Sequence, residues 1–177
     1  MSSHLKPAVS SHDHMQGGND APIELVEYGD YECPHCGRAY PILKEVQRKL
    51  KNSLKFVFRN FPLSEMHPDA FNAAVATEAA AVQGKFWEMH DIVFENQENL
   101  SPTDLLAYAK QIGLDINQFK TDINKEAISA KVENDFESGI LSGVNGTPSF
   151  YINGIKYNGS WEEADLTEHL KSLLKKA

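Results

Sequence analysis

Two cysteines three positions apart, Cys33-Pro34-His35-Cys36, stand where an extended run gives way to a helix, and no other cysteine occurs in the chain. That count excludes a disulfide-stapled scaffold, a four-cysteine zinc site and an all-cysteine iron–sulfur cluster. Pro22 to Tyr28 (PIELVEY) alternates with β-branched and aromatic residues and reads as a strand. Gly29 to Glu32 is a turn. A helix is expected from Pro34 to about Leu50, because Ala39, Leu43, Val46 and Leu50 repeat on one face. Pro34 suits the first helical position, where its missing N–H is not needed. Pro41 falls inside the helix and is expected to kink it. Leu54 to Phe58 (LKFVF) is a second strand, and β-α-β favours parallel strands with a right-handed crossover.

From Phe61 to Gly143 the chain reads as helical. Ala73, Ala74, Ala76, Ala79, Ala80 and Ala81 lie in one helix, and Gly84-Lys85 restarts another carrying Phe86, Trp87, Met89, Ile92, Val93 and Phe94. Ser101-Pro102-Thr103-Asp104 is an N-terminal cap for a third, and Asp115 with Gln118 opens a short fourth. A longer helix is expected from about Lys125, with Ile128, Val132, Phe136 and Ile140 on one face and Gly139, Gly143 and Gly146 breaking it up and ending it. Ser149–Ile152 and Ile155–Tyr157 flank Asn153-Gly154, a strong hairpin signal. Ser160 with Glu163 reads as a capping box for a last helix that turns Leu166, Leu170, Leu173 and Leu174 inward. The order suits an α/β domain: a small mixed sheet with helices on both faces. The helical block between strand and later helix is too long to be loop.

Composition narrows the class further. Of 177 residues, 41% are hydrophobic and 24% charged, so a packed core is expected. The net charge of −8 is the wrong sign for a general nucleic-acid or anionic-membrane binder. No apolar run is long enough for a membrane-spanning helix. Residues 1–20 are polar and rich in Ser, Gly and His, without the apolar stretch of a secretory signal, so the sequence as it stands is expected in the cytoplasm. A processed or engineered start would instead allow a periplasmic or other extracytoplasmic site. These twenty residues are expected to form a flexible extension, with Leu5 to Val9 as a possible short edge strand and the His12-x-His14 pair solvated.

Cys-x-x-Cys at a strand-to-helix junction is a redox signature. Cys33 at the helix start would face unpaired N–H groups and the positive end of the helix dipole, which lowers its pKa and makes it the nucleophile. Cys36, one turn in and more buried, would resolve. His35 is expected to add a donor and a positive charge beside Cys33, favouring the reduced form and making the disulfide an oxidant. The bland alternatives are half a zinc site and a pair of inert core thiols. Zinc would need two further ligands from His4, His12, His14, His35, His67, His90 or His169, and none of these forms a suitably spaced pair. No metal is expected.

The run Glu27-Tyr28-Gly29-Asp30-Tyr31-Glu32-Cys33-Pro34-His35-Cys36 is followed by Phe58-Arg59-Asn60-Phe61-Pro62-Leu63, Gln83-Gly84-Lys85-Phe86-Trp87-Glu88-Met89-His90 and Gly143-Val144-Asn145-Gly146-Thr147-Pro148-Ser149-Phe150. Together they resemble the DsbA-like thiol–disulfide oxidoreductases over about residues 21 to 175. The resemblance implies a thioredoxin-like domain formed by 21–62 and 125–177, with an all-helical insertion at 63–124. It implies that Thr147-Pro148 is a cis pair opposite the cysteines, offering a backbone edge to extended substrate. It also implies that Glu27 is a buried acid that moves the proton of Cys36, with a partly exposed strand glutamate as the plain alternative and Glu24 as the alternate candidate. Tyr31, Glu32, His35 and Met66 are expected around a peptide groove.

The expected activity is disulfide exchange with protein thiols through Cys33 and Cys36, in the oxidising direction, with no cofactor and with a separate redox partner that recycles the pair. Rival readings are a cytosolic reductase or isomerase, and a peptide-binding, chaperone-like module in which the cysteines are incidental. A glutathione-dependent enzyme of the same fold is disfavoured by an intact Cys36.

Overall fold

The computed structural model describes residues 3–175. Five strands, β1 (His14–Gly17), β2 (Ile23–Gly29), β3 (Leu54–Asn60), β4 (Ser149–Ile152) and β5 (Ile155–Tyr157), form one sheet in the order β1-β3-β2-β4-β5. β2 and β3 are parallel, and the other pairings are antiparallel. Helix α1 (Pro34–Leu50) makes the crossover between β2 and β3. After β3 come α2 (Ala70–Val82), α3 (Phe86–Phe94), α4 (Pro102–Gln111) and α5 (Ile116–Asp122), then the long α6 (Glu126–Ser142), the β4–β5 hairpin and α7 (Glu163–Leu174). This is the thioredoxin-like α/β fold with a helical block between β3 and α6.

Strand alternation divides the interior in two. Ile23 and Leu25 of β2, Leu54, Phe56 and Phe58 of β3, and Phe150 and Ile152 of β4 share one core with Ala39, Leu43 and Val46 of α1 and Leu166 and Leu170 of α7. The helical block joins that core through Phe86 and Phe94, which meet the ring of Phe58. On the opposite face Val26, Tyr28, Val57 and Tyr151 pack with Leu5, Phe61 and Val144. Two neighbours in the chain, Glu27 and Tyr28, therefore point into different halves of the protein.

Local signals place several ends. Ser101 and Asp104 close a reciprocal capping box at α4, and Asp115 accepts from the Gln118 N–H at α5. Asn153 and Gly154 both have positive φ, 48° and 80°, as a two-residue type I′ hairpin turn requires. Other expectations need correction. α6 is continuous through Gly139, where an added Cβ would lie 2.6 Å from the Phe61 ring and 3.2 Å from that of Tyr28. Val132 is fully buried and Ile128 and Phe136 pack against the cores, as the stripe predicts, but nearer its C-terminus the helix approaches the sheet through Asp135, Ser138, Gly139 and Ser142, which leaves Ile140 54% exposed. The break comes at Gly143, with φ 86°. Ser160 does not cap α7, whose N-cap is Glu162; it accepts instead from the Glu162 N–H at 3.3 Å, a local turn two residues before the helix. Leu173 and Leu174 are only partly buried.

The N-terminal segment is the largest correction. Residues 1–2 lie outside the described residues, but from Ser3 onward the chain is tied to the domain through Leu5, Asp13 and His14, although most of its residues stay exposed. The strand is not at Leu5–Val9. It is β1, which covers the β3 edge that would otherwise be left unpaired. His4 bridges to Ile155, and Leu5 is 8% exposed. His14 stacks on Phe86 at 3.6 Å and places Nε2 2.8 Å from Glu78 Oε2. The anchor is Arg59 on β3. Its guanidinium donates to both Asp13 carboxylate oxygens at 2.7 and 3.0 Å, to the Pro7 and Ala8 carbonyls and to Tyr28 Oη. Sequence reading missed this because an arginine on a strand gives no sign of which distant carboxylate it meets.

Burial pushes the Asp13 carboxyl up, but the hydrogen bonds from Arg59 and Ser10 and the Arg59 charge hold it below the ordinary carboxylate value. A depressed carboxylate contributes stability above its unfolded pKa and loses it as pH falls through the folded one. Asp13→Ala leaves Arg59 buried without its counterion. The expected cost is about 3–5 kcal/mol in urea denaturation at neutral pH, shrinking toward strongly acid pH.

Candidate redox site

Cys33 is the N-cap of α1, with φ −67° and ψ 122°, and Pro34 follows in the first turn. Both cysteines are free thiols, 4% and 0% exposed. The turn before them is closed by the Cys33 N–H, which donates to the Asp30 carbonyl at 3.2 Å and to Asp30 Oδ1 at 3.1 Å. The Asp30 N–H reaches Cys36 Sγ at 3.4 Å.

The two thiols are electrostatically unequal. Cys33 is lowered to about 5: hydrogen bonding from the Cys36 thiol is the largest influence, burial opposes it, and Thr147 and the backbone N–H groups of Cys36 and His35 add to the lowering. Cys36 is pushed well above the ordinary thiol value by burial, by its bond to Cys33 and by the charges of Glu27 and Cys33. One sulfur is thus an anion at neutral pH while its neighbour keeps its proton.

His35 differs from expectation. Its side chain is exposed, and its contribution to Cys33 comes from its backbone N–H. The first turn of α1 aims amides at the N-cap sulfur, whereas a side chain at the second helical position points away into solvent.

Glu27 is 2% exposed on β2, opposite Phe58 of β3 and Phe150 of β4. It lies on the sheet face that carries Cys36 and the α1 core. Its Oε1 is buried with no hydrogen-bond partner among the described residues. Burial raises its pKa to about 8, with a further push from Cys33. Glu24, on the other face, lies 3.8 Å from the Lys55 ammonium and is partly exposed.

The Thr147–Pro148 peptide bond is cis. The Cys33 thiol donates to the Thr147 carbonyl at 3.6 Å. Thr147 Oγ1 is buried without a hydrogen-bond partner among the described residues. A carbonyl can only accept, so it is this hydroxyl that can donate to an ionised Cys33.

Three groups at the site were not singled out by sequence reading. Asp30 is 1% exposed, and its carboxylate holds four donors, three of them backbone N–H groups. His67 pairs with it from the turn after β3, at 2.8 Å. Gln97, between α3 and α4, donates from Nε2 to the carbonyls of Tyr31 at 2.8 Å and Cys33 at 3.0 Å. It sits against Gly37, where an added Cβ would fall 1.8 Å from Gln97 Oε1. The helical block thereby grips the cysteine turn. Only Asp30, three residues before the N-cap cysteine, had a local signal.

The expected groove residues separate. Tyr31 is buried, its hydroxyl 2.9 Å from His90 Nδ1, and Glu32 accepts from the Asp69 N–H at 2.8 Å. Neither forms an open rim. Met66 is 71% exposed and lines a groove of about 580 Å³ with Leu63, Phe71, Val132 and Phe136. Among the described residues no group of three or more His, Cys, Asp or Glu side chains is placed to hold a metal.

The family model described as thioredoxin matches residues 10–172. A thioredoxin-like oxidoreductase from Silicibacter pomeroyi superposes with a TM-score of 0.83 at 26% identity, covering 95% of each chain. α-DsbA1 from Wolbachia pipientis gives 0.83 at 25% identity, over 95% of this chain and 94% of that one. In sequence, a Na⁺/H⁺ antiporter NhaA 1 of Mycolicibacterium vanbaalenii is 42% identical over 170 residues, which is 95% of this chain but 28% of that protein. The chain thus spans less than a third of the length of this curated relative.

Gln97→Ala removes both hydrogen bonds to the cysteine turn. We expect a loss of about 1–3 kcal/mol by chemical denaturation and faster amide exchange over residues 31–37. Unchanged exchange there would show that Gln97 does not hold the turn. Residues 10–172 carry the family match, and the mixed sheet, the cysteine pair on α1 and the cis proline ahead of β4 accompany it: the chain belongs to the thioredoxin family and has a DsbA-like thioredoxin fold.

Proposed function

We propose that the protein is a thiol–disulfide oxidoreductase that oxidises protein thiols. The observation that carries this reading is the inequality of the pair: Cys33 lowered to about 5 beside a Cys36 held as a thiol. Whatever stabilises the Cys33 thiolate stabilises the reduced protein and makes the disulfide a stronger oxidant. Oxidoreductase relatives of the same fold support the class of reaction. The antiporter name belongs to a protein of which this chain matches 28%, and no described helix is long and apolar enough to cross a membrane. Transport is therefore not part of the proposal.

In the oxidising direction a substrate thiolate attacks the Cys33 sulfur of the Cys33–Cys36 disulfide. The S–S bond breaks, and Cys36 leaves with the electron pair and takes a proton. A second substrate thiolate attacks the substrate sulfur of the mixed disulfide, and Cys33 leaves as a thiolate. The substrate gains a disulfide, and the protein becomes the dithiol. A separate partner bearing a disulfide or an equivalent two-electron oxidant must restore it.

Glu27 is the proton holder for Cys36. While Cys33 is an anion, that charge and burial keep Glu27 protonated. In the mixed disulfide Cys33 is uncharged, so Glu27 ionises more readily and can accept from or return a proton to Cys36. The backbone around Thr147, immediately before β4, would pair with an extended substrate segment. A compartment that keeps thiols oxidised is the setting such a pair suits.

Glutathione-buffer titration is expected to place the potential closer to about −120 mV than to about −270 mV. A value near the lower end would overturn the oxidising direction. Cys33→Ser is expected to abolish exchange; a variant that kept its function would favour a peptide-binding role. The stability of the reduced protein supplies a second check. Cys33 has a depressed pKa, so its contribution is present above the unfolded thiol value and is lost as pH falls through about 5. Glu27 is raised, so its contribution is present below the unfolded carboxyl value and is lost as pH rises through about 8. Glu27→Gln should therefore stabilise the reduced protein near the upper end of that window and change little in acid, and it should slow resolution of the mixed disulfide.

A further inference from the structure

Asp30 places a buried carboxylate next to the nucleophilic cysteine. Oδ1 accepts from the N–H groups of Glu32 at 2.8 Å and Cys33 at 3.1 Å. Oδ2 accepts from the Leu63 N–H at 2.8 Å and pairs with His67 Nδ1 at 2.8 Å. An anion here is costly to an oxidant, since it repels the thiolate that reduction creates and draws the Cys33 N–H toward itself. The imidazole of His67 pairs with that carboxylate and is its cation whenever protonated, with its side chain 15% exposed and Asp30 at 0%.

We propose that His67 is a positioning residue of the redox pair: by pairing with the Asp30 carboxylate that holds the Cys33 amide, it offsets the buried charge opposing the Cys33 thiolate. An electrostatic role at the pair is thereby assigned to a histidine of the turn after β3. The inference rests on the disulfide-exchange reading and adds the residue that adjusts it.

The groups facing His67 all act in one sense. Burial works against its cation, but the hydrogen bond and charge of Asp30, followed by the charges of Cys33 and Glu32, raise its pKa above the ordinary imidazole value. Because Cys33 is charged only when reduced, His67 holds its proton more tightly in the dithiol than in the disulfide. By linkage, reduction draws part of a proton onto His67 in the pH range where the imidazole titrates, and the potential depends more steeply on pH there.

The test follows the Cys33 pKa by thiolate absorbance and the potential against glutathione, in wild type, His67→Gln and His67→Lys. His67→Gln is expected to raise the Cys33 pKa by about one unit, a tenfold shift in thiolate equilibrium, and to make the pair less oxidising near pH 6. His67→Lys, which keeps a cation on a flexible stem, should restore most of both. Above the His67 titration the wild type and His67→Gln should converge, which a purely structural loss would not produce. An unshifted Cys33 in folded His67→Gln, or a difference that persists at alkaline pH, overturns the proposal. If His67→Gln does not fold, NMR titration of the wild-type His67 ring decides: a higher pKa in the reduced than in the oxidised protein supports the inference, and equal values overturn it. A wild type that exchanges no disulfides defeats the functional reading instead, while the thiolate titration still reports on His67.

Discussion

The N-terminal turn of α1 delivers its free amides onto the sulfur of Cys33, and the rest of the site is arranged around that contact. Cys36 follows from it: one helical turn inward, it is buried and keeps a proton that it can share with Cys33. Thr147 lies on the opposite side, its carbonyl accepting from the Cys33 thiol and its buried hydroxyl available to donate once that sulfur is ionised. None of these groups carries a positive charge. The anion is accommodated by dipoles in a site of low exposure, where such dipoles act strongly because water does not compete with them.

Dipoles aimed at one sulfur have to be held in place, and the holding comes from elements far apart in the chain. Asp30 closes the cysteine turn and ties it to the turn after β3 through Leu63 and His67. Gln97 ties the same turn to the helical block from the other side, and the bare backbone of Gly37 leaves room for it. The block is therefore more than a cover. Its connections reach the carbonyls of the cysteine turn, so a change in the block can be felt at the sulfur.

Two carboxyls lie close to the pair, and their surroundings push them apart in behaviour. Glu27 faces Phe58 and Phe150 with no donor to Oε1 among the described residues, and it stays protonated well above the usual carboxyl range. Asp30 has three backbone N–H donors and an imidazole partner. A neutral acid that can accept a proton and a paired anion that fixes geometry are different tools built from the same functional group.

Much of this was legible in the amino-acid sequence. Alternation in Pro22–Tyr28, the β run Leu54–Phe58, the helical stripe from Ala39 to Leu50, Asn153-Gly154 and the Cys-x-x-Cys junction are local patterns, and local patterns determine element type, the hairpin and the position of the nucleophile. Alternation also sets which face Glu27 occupies once Leu25 is assigned to the core. What lay beyond reach was every pairing whose partners are distant in the chain: β1 against β3, Asp13 against Arg59, His67 against Asp30, Gln97 against the Cys33 turn. His35 shows the same limit from the other side, since adjacency in sequence placed its backbone, but not its ring, at the sulfur. A sequence specifies which groups are available and the short-range geometry between neighbours. Which charge meets which carboxylate is decided only when the chain has closed on itself, because Coulomb and hydrogen-bond energies depend on distance and burial, and both are properties of the tertiary structure.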